Sequence, residues 1–92
     1  MLEQYPSPDG QFVLNLSCNE VRMSHWICSP KLVEAATGRV LYEAGGTFDA
    51  SQIKWSPDSR ELTFHLREYP GSRPGVNVRL RLADGTATAS EF

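Results

Sequence analysis

The chain has 92 residues, with 11 acidic and 9 basic side chains, a formal charge of −2, 40% hydrophobic and 22% charged residues. This is the size and composition of one folded globular domain, not of a disordered tail, and its acidic balance argues against nucleic acid, which calls for a basic surface. No apolar run approaches the roughly 20 residues of a membrane-spanning helix. Met1-Leu2-Glu3-Gln4-Tyr5-Pro6 also lacks the basic and apolar regions of a secretory signal, so neither a membrane nor export is expected and a cytoplasmic location is.

In chain order, Ser7-Pro8-Asp9-Gly10 predicts a tight turn, in which Pro presets φ, Asp caps the turn and Gly accepts positive φ. Residues 11–17 alternate, with Phe12, Leu14 and Leu16 on one face, and predict a strand with one buried and one wet side. Residues 18–24 interrupt that alternation and are expected to form a loop. The only helical candidate is the short stretch 30–36, which runs into Thr37-Gly38; 31–35 and 39–44 also read as strands either side of the Ala36-Thr37-Gly38 turn. Gly45-Gly46 ends a strand, and 51–55 predicts another that leads into Ser56-Pro57-Asp58-Ser59.

Residues 61–67 set Leu62, Phe64 and Leu66 against Thr63, His65 and Arg67. A Pro/Gly-rich loop is expected over 68–75. In 76–82, Val76, Val78, Leu80 and Leu82 alternate with Asn77, Arg79 and Arg81, and Asp84-Gly85 is a favoured hairpin turn into 86–89. The expected fold is all-β: a small antiparallel meander of about seven short strands, closed as a compact sandwich or a curved sheet.

Ser7-Pro8-Asp9 recurs as Ser56-Pro57-Asp58, and the segments after the two copies share one order of strands and turns, which divides the single domain 1–92 into a first repeat, 5–55, and a second, 56–92. Trp55-Ser56-Pro57-Asp58-Ser59-Arg60-Glu61-Leu62-Thr63-Phe64 resembles the Trp-Ser-Pro-Asp-Gly repeat of TolB-type and related WD-like β-propellers. Residues 31–40 resemble the next strand, Thr-Gly turn and strand of that repeat. The chain departs from the family with Tyr5-Pro6 in place of Trp and with Ser59 in place of Gly. The resemblance implies blade-like hairpins, yet known propellers close with at least about four blades and this chain has material for two. The expectation is a complete small domain rather than a propeller fragment, with its sheet edges available for association into a homo-oligomer.

Residues that could carry chemistry are few. His65 is expected on a solvated strand face and His25 on a half-buried strand beside Trp26, itself expected in the core. Cys18 and Cys28 are expected as free, buried thiols. With His25 they offer three ligands where structural zinc wants four, so no metal is expected. Asp9 and Asp58 are expected to cap their turns rather than act as an acid–base pair. No glycine-rich phosphate loop opens a helix and no nucleophile stands beside a base, so neither catalysis nor a cofactor is expected.

The expected function is a protein-interaction module, a small inhibitor or immunity-type protein that covers a partner protein. Its contacts are expected from Tyr69, Arg73, Asn77, Arg79 and Arg81 in the C-terminal third, since Tyr and Arg are enriched in interface hot spots. Met23 and His25 form a second patch. The alternatives are self-assembly into a propeller-like ring, or a small-molecule or carbohydrate site with Trp26, Trp55 or Tyr69 as a stacking platform.

Overall fold

The alternating segments pair as strands because each has one apolar face to bury. A computed structural model describes residues 2–21, 25–69 and 74–92. They form β1 (Leu2–Pro6), β2 (Phe12–Val21), β3 (His25–Glu34), β4 (Val40–Glu43), β5 (Phe48–Trp55), β6 (Glu61–Glu68), β7 (Val76–Ala83) and β8 (Thr86–Glu91). Two antiparallel four-stranded sheets result, with orders β1-β2-β3-β4 and β5-β6-β7-β8, each a simple meander. The domain is therefore all-β, as expected. Among the described residues there are eight strands rather than seven, and no helix.

Three elements differ from expectation. The helical candidate 30–36 is the end of β3 and its turn, because Pro30 and Leu32 face the core opposite Leu16 and Leu14. The loop expected from residue 18 onward is strand as far as Val21, and Cys18 lies directly opposite Cys28. The last strand of the first expected repeat, β5, belongs to the second sheet. The two structural units thus run 2–43 and 48–91, and each contains its Ser-Pro-Asp turn between its first and second strands.

The core lies between the sheets. Leu14, Leu16, Cys18 and Leu32 face Ala50, Leu62, Phe64, Val78, Leu80 and Leu82. Tyr42 tilts its ring against Phe64, with centroids 5.9 Å apart. Burying faces of this kind stabilises by about 25 cal/mol per Å² of apolar surface.

The pairing of Cys18 with Cys28 corrects the expectation of free thiols: the two are joined in a disulfide. The register explains it. Ala35 N–H donates to Gln11 O, so the antiparallel alternation makes 12/34, 14/32, 16/30 and 18/28 non-hydrogen-bonded pairs, whose side chains lie closest.

The seam between the sheets is also polar. β4 pairs only with residues 31–33 of β3, which leaves the earlier half of that edge open to β5. There Asp49 Oδ1 accepts the Cys28 N–H at 2.8 Å, and Ser29 Oγ donates to Phe48 O at 3.0 Å. Further along, Trp55 Nε1 donates to Tyr5 O at 2.9 Å and Arg39 Nη2 to Gly85 O at 2.7 Å.

Candidate functional site

The carboxylates in the repeated turns are occupied by the turns. Asp9 Oδ1 accepts from Ser7 Oγ at 2.7 Å and from Gln11 N–H at 3.0 Å. Asp58 Oδ1 accepts from Ser56 Oγ at 2.6 Å and from Arg60 N–H at 3.0 Å. Both carboxyls are held below the usual aspartate range, Asp9 chiefly by the Gln11 N–H and then the Ser7 hydroxyl, Asp58 chiefly by the Ser56 hydroxyl and then the Arg60 N–H. Ser7 and Ser56 match as well: their Oγ atoms accept from Phe12 N–H and Glu61 N–H at 3.1 and 2.9 Å. Capping, rather than acid–base work, accounts for every one of these contacts.

Ser59 links the two copies. It occupies the left-handed position (φ 62°) that Gly10 fills in the first turn (φ 75°). Its buried Oγ accepts the Asp9 N–H at 3.0 Å.

Asn77, Arg79 and Arg81 do share a face. They alternate with buried Val78, Leu80 and Leu82 on β7 and so point away from the core. Arg79 Nε and Arg81 Nε lie 3.8 and 3.4 Å from the two carboxylate oxygens of Glu61. The Arg79 guanidinium also sits over the Phe92 ring, 4.7 Å from its centroid. Phe92 is placed there by its N–H, which donates to Asn77 O at 3.1 Å, and its side chain is exposed. His65, on the neighbouring strand, is half-buried rather than simply solvated. Its Nε2 lies 2.7 Å from Pro74 O and donates to it, and its Nδ1 lies 3.2 Å from the Asn77 carboxamide. Lys54, His65, Asn77 and Phe92 border a shallow depression of about 370 Å³.

The charge of this face is the reverse of the whole chain. Lys54, Arg67, Arg79 and Arg81 are its cations, against Glu61 and the Asp49 carboxylate already turned to Cys28. The opposite outer face, on the first sheet, differs again. Pro6, Val13, Val33 and Val40 are cross-strand partners and make an apolar row over all four strands. Beside it runs a polar row, Gln4, Asn15, Lys31 and Glu43.

The other expected contact residues are not gathered here. Tyr69 is half-buried past the end of β6, where its N–H donates to Thr47 O at 2.7 Å beside the start of β5. Arg81 pairs with Glu61 at the far end of β6, about 26 Å away at the usual rise per residue. Met23 and Arg73 lie outside the described residues. His25 pairs with Val21 at the far end of the first sheet, and its side chain is likewise outside the described set. Trp26 corrects a further expectation. It is 49% exposed, because it lies two pairs beyond Cys18–Cys28, opposite Glu20, past the last core residues on that face of the hairpin. Glu3 comes within 4.8 Å of both cysteine sulfurs, but sulfurs bonded to each other offer no thiolate to a metal.

Sequence reasoning missed Phe92, Glu61 and Lys54 as members of the face. The alternation of Glu61 with buried Leu62 was readable, but the convergence of the three depends on which strands pair. Compared with known proteins, the chain matches no family model, and no significant match is found among curated proteins or solved structures.

Proposed function

We propose that this chain is a non-catalytic protein-interaction module that covers a partner protein with the outer face of its second sheet, in the manner of a small inhibitor or immunity-type protein. The observation that carries the reading is a cationic, arginine-bearing strand face with an exposed aromatic at its edge, on a chain whose overall charge is negative. Arginine and aromatic side chains are the residues that dominate binding energy when buried against a partner. The turn aspartates are engaged in turn hydrogen bonds, which supports binding over bond-making chemistry.

The propeller resemblance suggests a rival, in which several copies complete a ring. The two outer faces argue against it. Head-to-tail closure would set the apolar row of Pro6, Val13, Val33 and Val40 against Lys54 and against Arg79 and Arg81, which share the one carboxylate of Glu61, and cations buried against aliphatic side chains with too few counter-charges cost several kcal/mol each.

The test is affinity capture from the native lysate with the wild-type chain and with the Arg79→Glu/Arg81→Glu variant, after circular dichroism shows that both are folded. A specific partner should bind wild type and lose about 30-fold in affinity to the variant, as expected for hot-spot residues worth about 2 kcal/mol. Equal capture by both chains would reject the reading.

A further inference from the structure

Each sheet has two edges, and three of the four are closed to further pairing. β1 ends in Pro6. β4 has four residues and a register shift opposite Leu32/Val33. β5 is bulged between Ser51 and Lys54, with Gln52 at φ 57°, and lies against β3 through Asp49 and Phe48. Bulges, shortness and proline are the devices that keep an edge from recruiting another strand. β8 has none of them. It is six residues long, in unbroken register with β7 from Val78↔Glu91 to Ala83↔Thr86, and every residue but Ala87 is exposed.

The hydrogen-bond phase of that edge is set by one contact. Phe92 N–H donates to Asn77 O, so the antiparallel alternation turns residues 90, 88 and 86 toward β7 and leaves Ala87, Ala89 and Glu91 with N–H and C=O directed outward. Among the described residues no strand pairs with that side. A strand added there lies about 4.8 Å from β8 and so about 9.6 Å from β7. Thr88 and Ser90, the β8 partners of Arg81 and Arg79, are small enough for the arginines to lie across them. An extended arginine and a glutamate together bridge the gap. Arg79 and Arg81 contact Glu61 on β6 through Nε, and the Arg79 guanidinium lies over Phe92, so they reach the added strand by turning across β8, where its carboxylates compete with Glu61 for them. On the other side of the strand, Ala87 and Ala89 continue the core face toward the added strand.

We infer that β8 receives an extended segment of a partner protein as a fifth strand of the second sheet, and that the segment alternates acidic residues, facing Arg79 and Arg81, with apolar residues, facing the side of Ala87 and Ala89. This rests on the reading of the chain as an interaction module and names the chemistry of its partner. Main-chain hydrogen bonds supply affinity and the alternating side chains supply selectivity.

The probe is a capped hexapeptide of alternating glutamate and valine, titrated into the isotopically labelled full chain and followed by amide resonances. A lysine–valine hexapeptide is the control. The acidic peptide should bind saturably, move the Ala87, Ala89 and Glu91 amides most, and weaken as salt is raised, while the lysine peptide should not bind. Arg81→Glu should weaken binding at least tenfold and Arg81→Lys much less. Ala89→Pro should abolish binding, because it removes an outward N–H and leaves the β7–β8 ladder intact. Backbone N-methylation of the peptide at alternate residues tests the same bond without altering the protein and should also abolish binding.

Failure of the acidic peptide to bind wild type overturns the inference. So does binding that survives both Ala89→Pro and N-methylation; that result assigns the peptide to the arginine face and leaves the proposed function standing. Self-association that Ala89→Pro removes, without peptide binding, overturns it in favour of a second copy of the chain on β8. Peptide binding together with partner capture that ignores Arg79→Glu/Arg81→Glu would count against the proposed function alone.

Discussion

Ser59 stands in the left-handed region at φ 62°, where its counterpart in the first turn is Gly10. An L-residue there costs roughly 1–2 kcal/mol. The hydroxyl offsets this by accepting the Asp9 N–H at 3.0 Å across the seam, from a side chain only 3% exposed, a bond worth roughly 0.5–1.5 kcal/mol. Ser59→Ala keeps the strained backbone and loses the bond, so it should destabilise by about 1 kcal/mol, which lowers Tm by about 4–8 °C in a domain of this size. Ser59→Gly loses the same bond and adds about 0.4–1 kcal/mol of unfolded-state entropy, but relieves the backbone, so it should fall within about 0.5 kcal/mol of wild type. Urea unfolding of the three proteins with a common m-value gives the order directly. An alanine variant as stable as wild type, or more stable than the glycine variant, would refute both the inter-turn bond and the compensation argued for it.

Three further outcomes are expected. Asp49→Ala should destabilise by about 1–3 kcal/mol, since it deprives the Cys28 N–H of its charged acceptor at the open half of β3; chemical denaturation measures it, and Asp49→Asn should recover part of the loss. Reducing the Cys18–Cys28 bond, whose partners are 10 positions apart, should cost about 3 kcal/mol by the loop-closure relation, seen as a lower Tm with reductant present and no such shift in Cys18→Ala/Cys28→Ala. Asp9 and Asp58 have folded-state pKa values below their unfolded ones, so their contribution is present above the unfolded aspartate value, near ~4, and is lost as pH falls through the folded values. The urea midpoint should therefore be flat from neutral pH down to about 5 and drop below about 4, and the drop should shrink in Asp9→Asn/Asp58→Asn.

The two units, 2–43 and 48–91, are bound at equivalent places. Trp55 reaches Tyr5 and Ser59 reaches Asp9, each spanning 50 positions, close to the interval between the Ser-Pro-Asp turns themselves. Only the second contact depends on the residue that receives it: Tyr5 accepts through its backbone carbonyl, whereas Ser59 accepts through its side chain and so serves the junction between the two units as well as its own turn.

Local alternation and turn chemistry made most of the strands legible. Phe12, Leu14 and Leu16, then Leu62, Phe64 and Leu66, then Val78, Leu80 and Leu82 announce their buried faces through nearest-neighbour spacing, and Ser-Pro-Asp and Asp-Gly announce turns through backbone preferences of single residues. The alignment of Asn77, Arg79 and Arg81 on one face was legible for the same reason. What the tertiary structure alone decided is non-local. Cys18 met Cys28 because β2 runs on past its last alternating aliphatic and pairs in a particular phase. Trp26 stayed out of the core because it lies past the Cys18–Cys28 pair that ends the core on its face of the hairpin. Asp49 became the acceptor that closes the open half of β3, and Phe92 came to rest under Arg79. Each of these depends on which strand lies beside which, and a side chain's neighbours in sequence carry no record of its neighbours across a sheet or between two sheets.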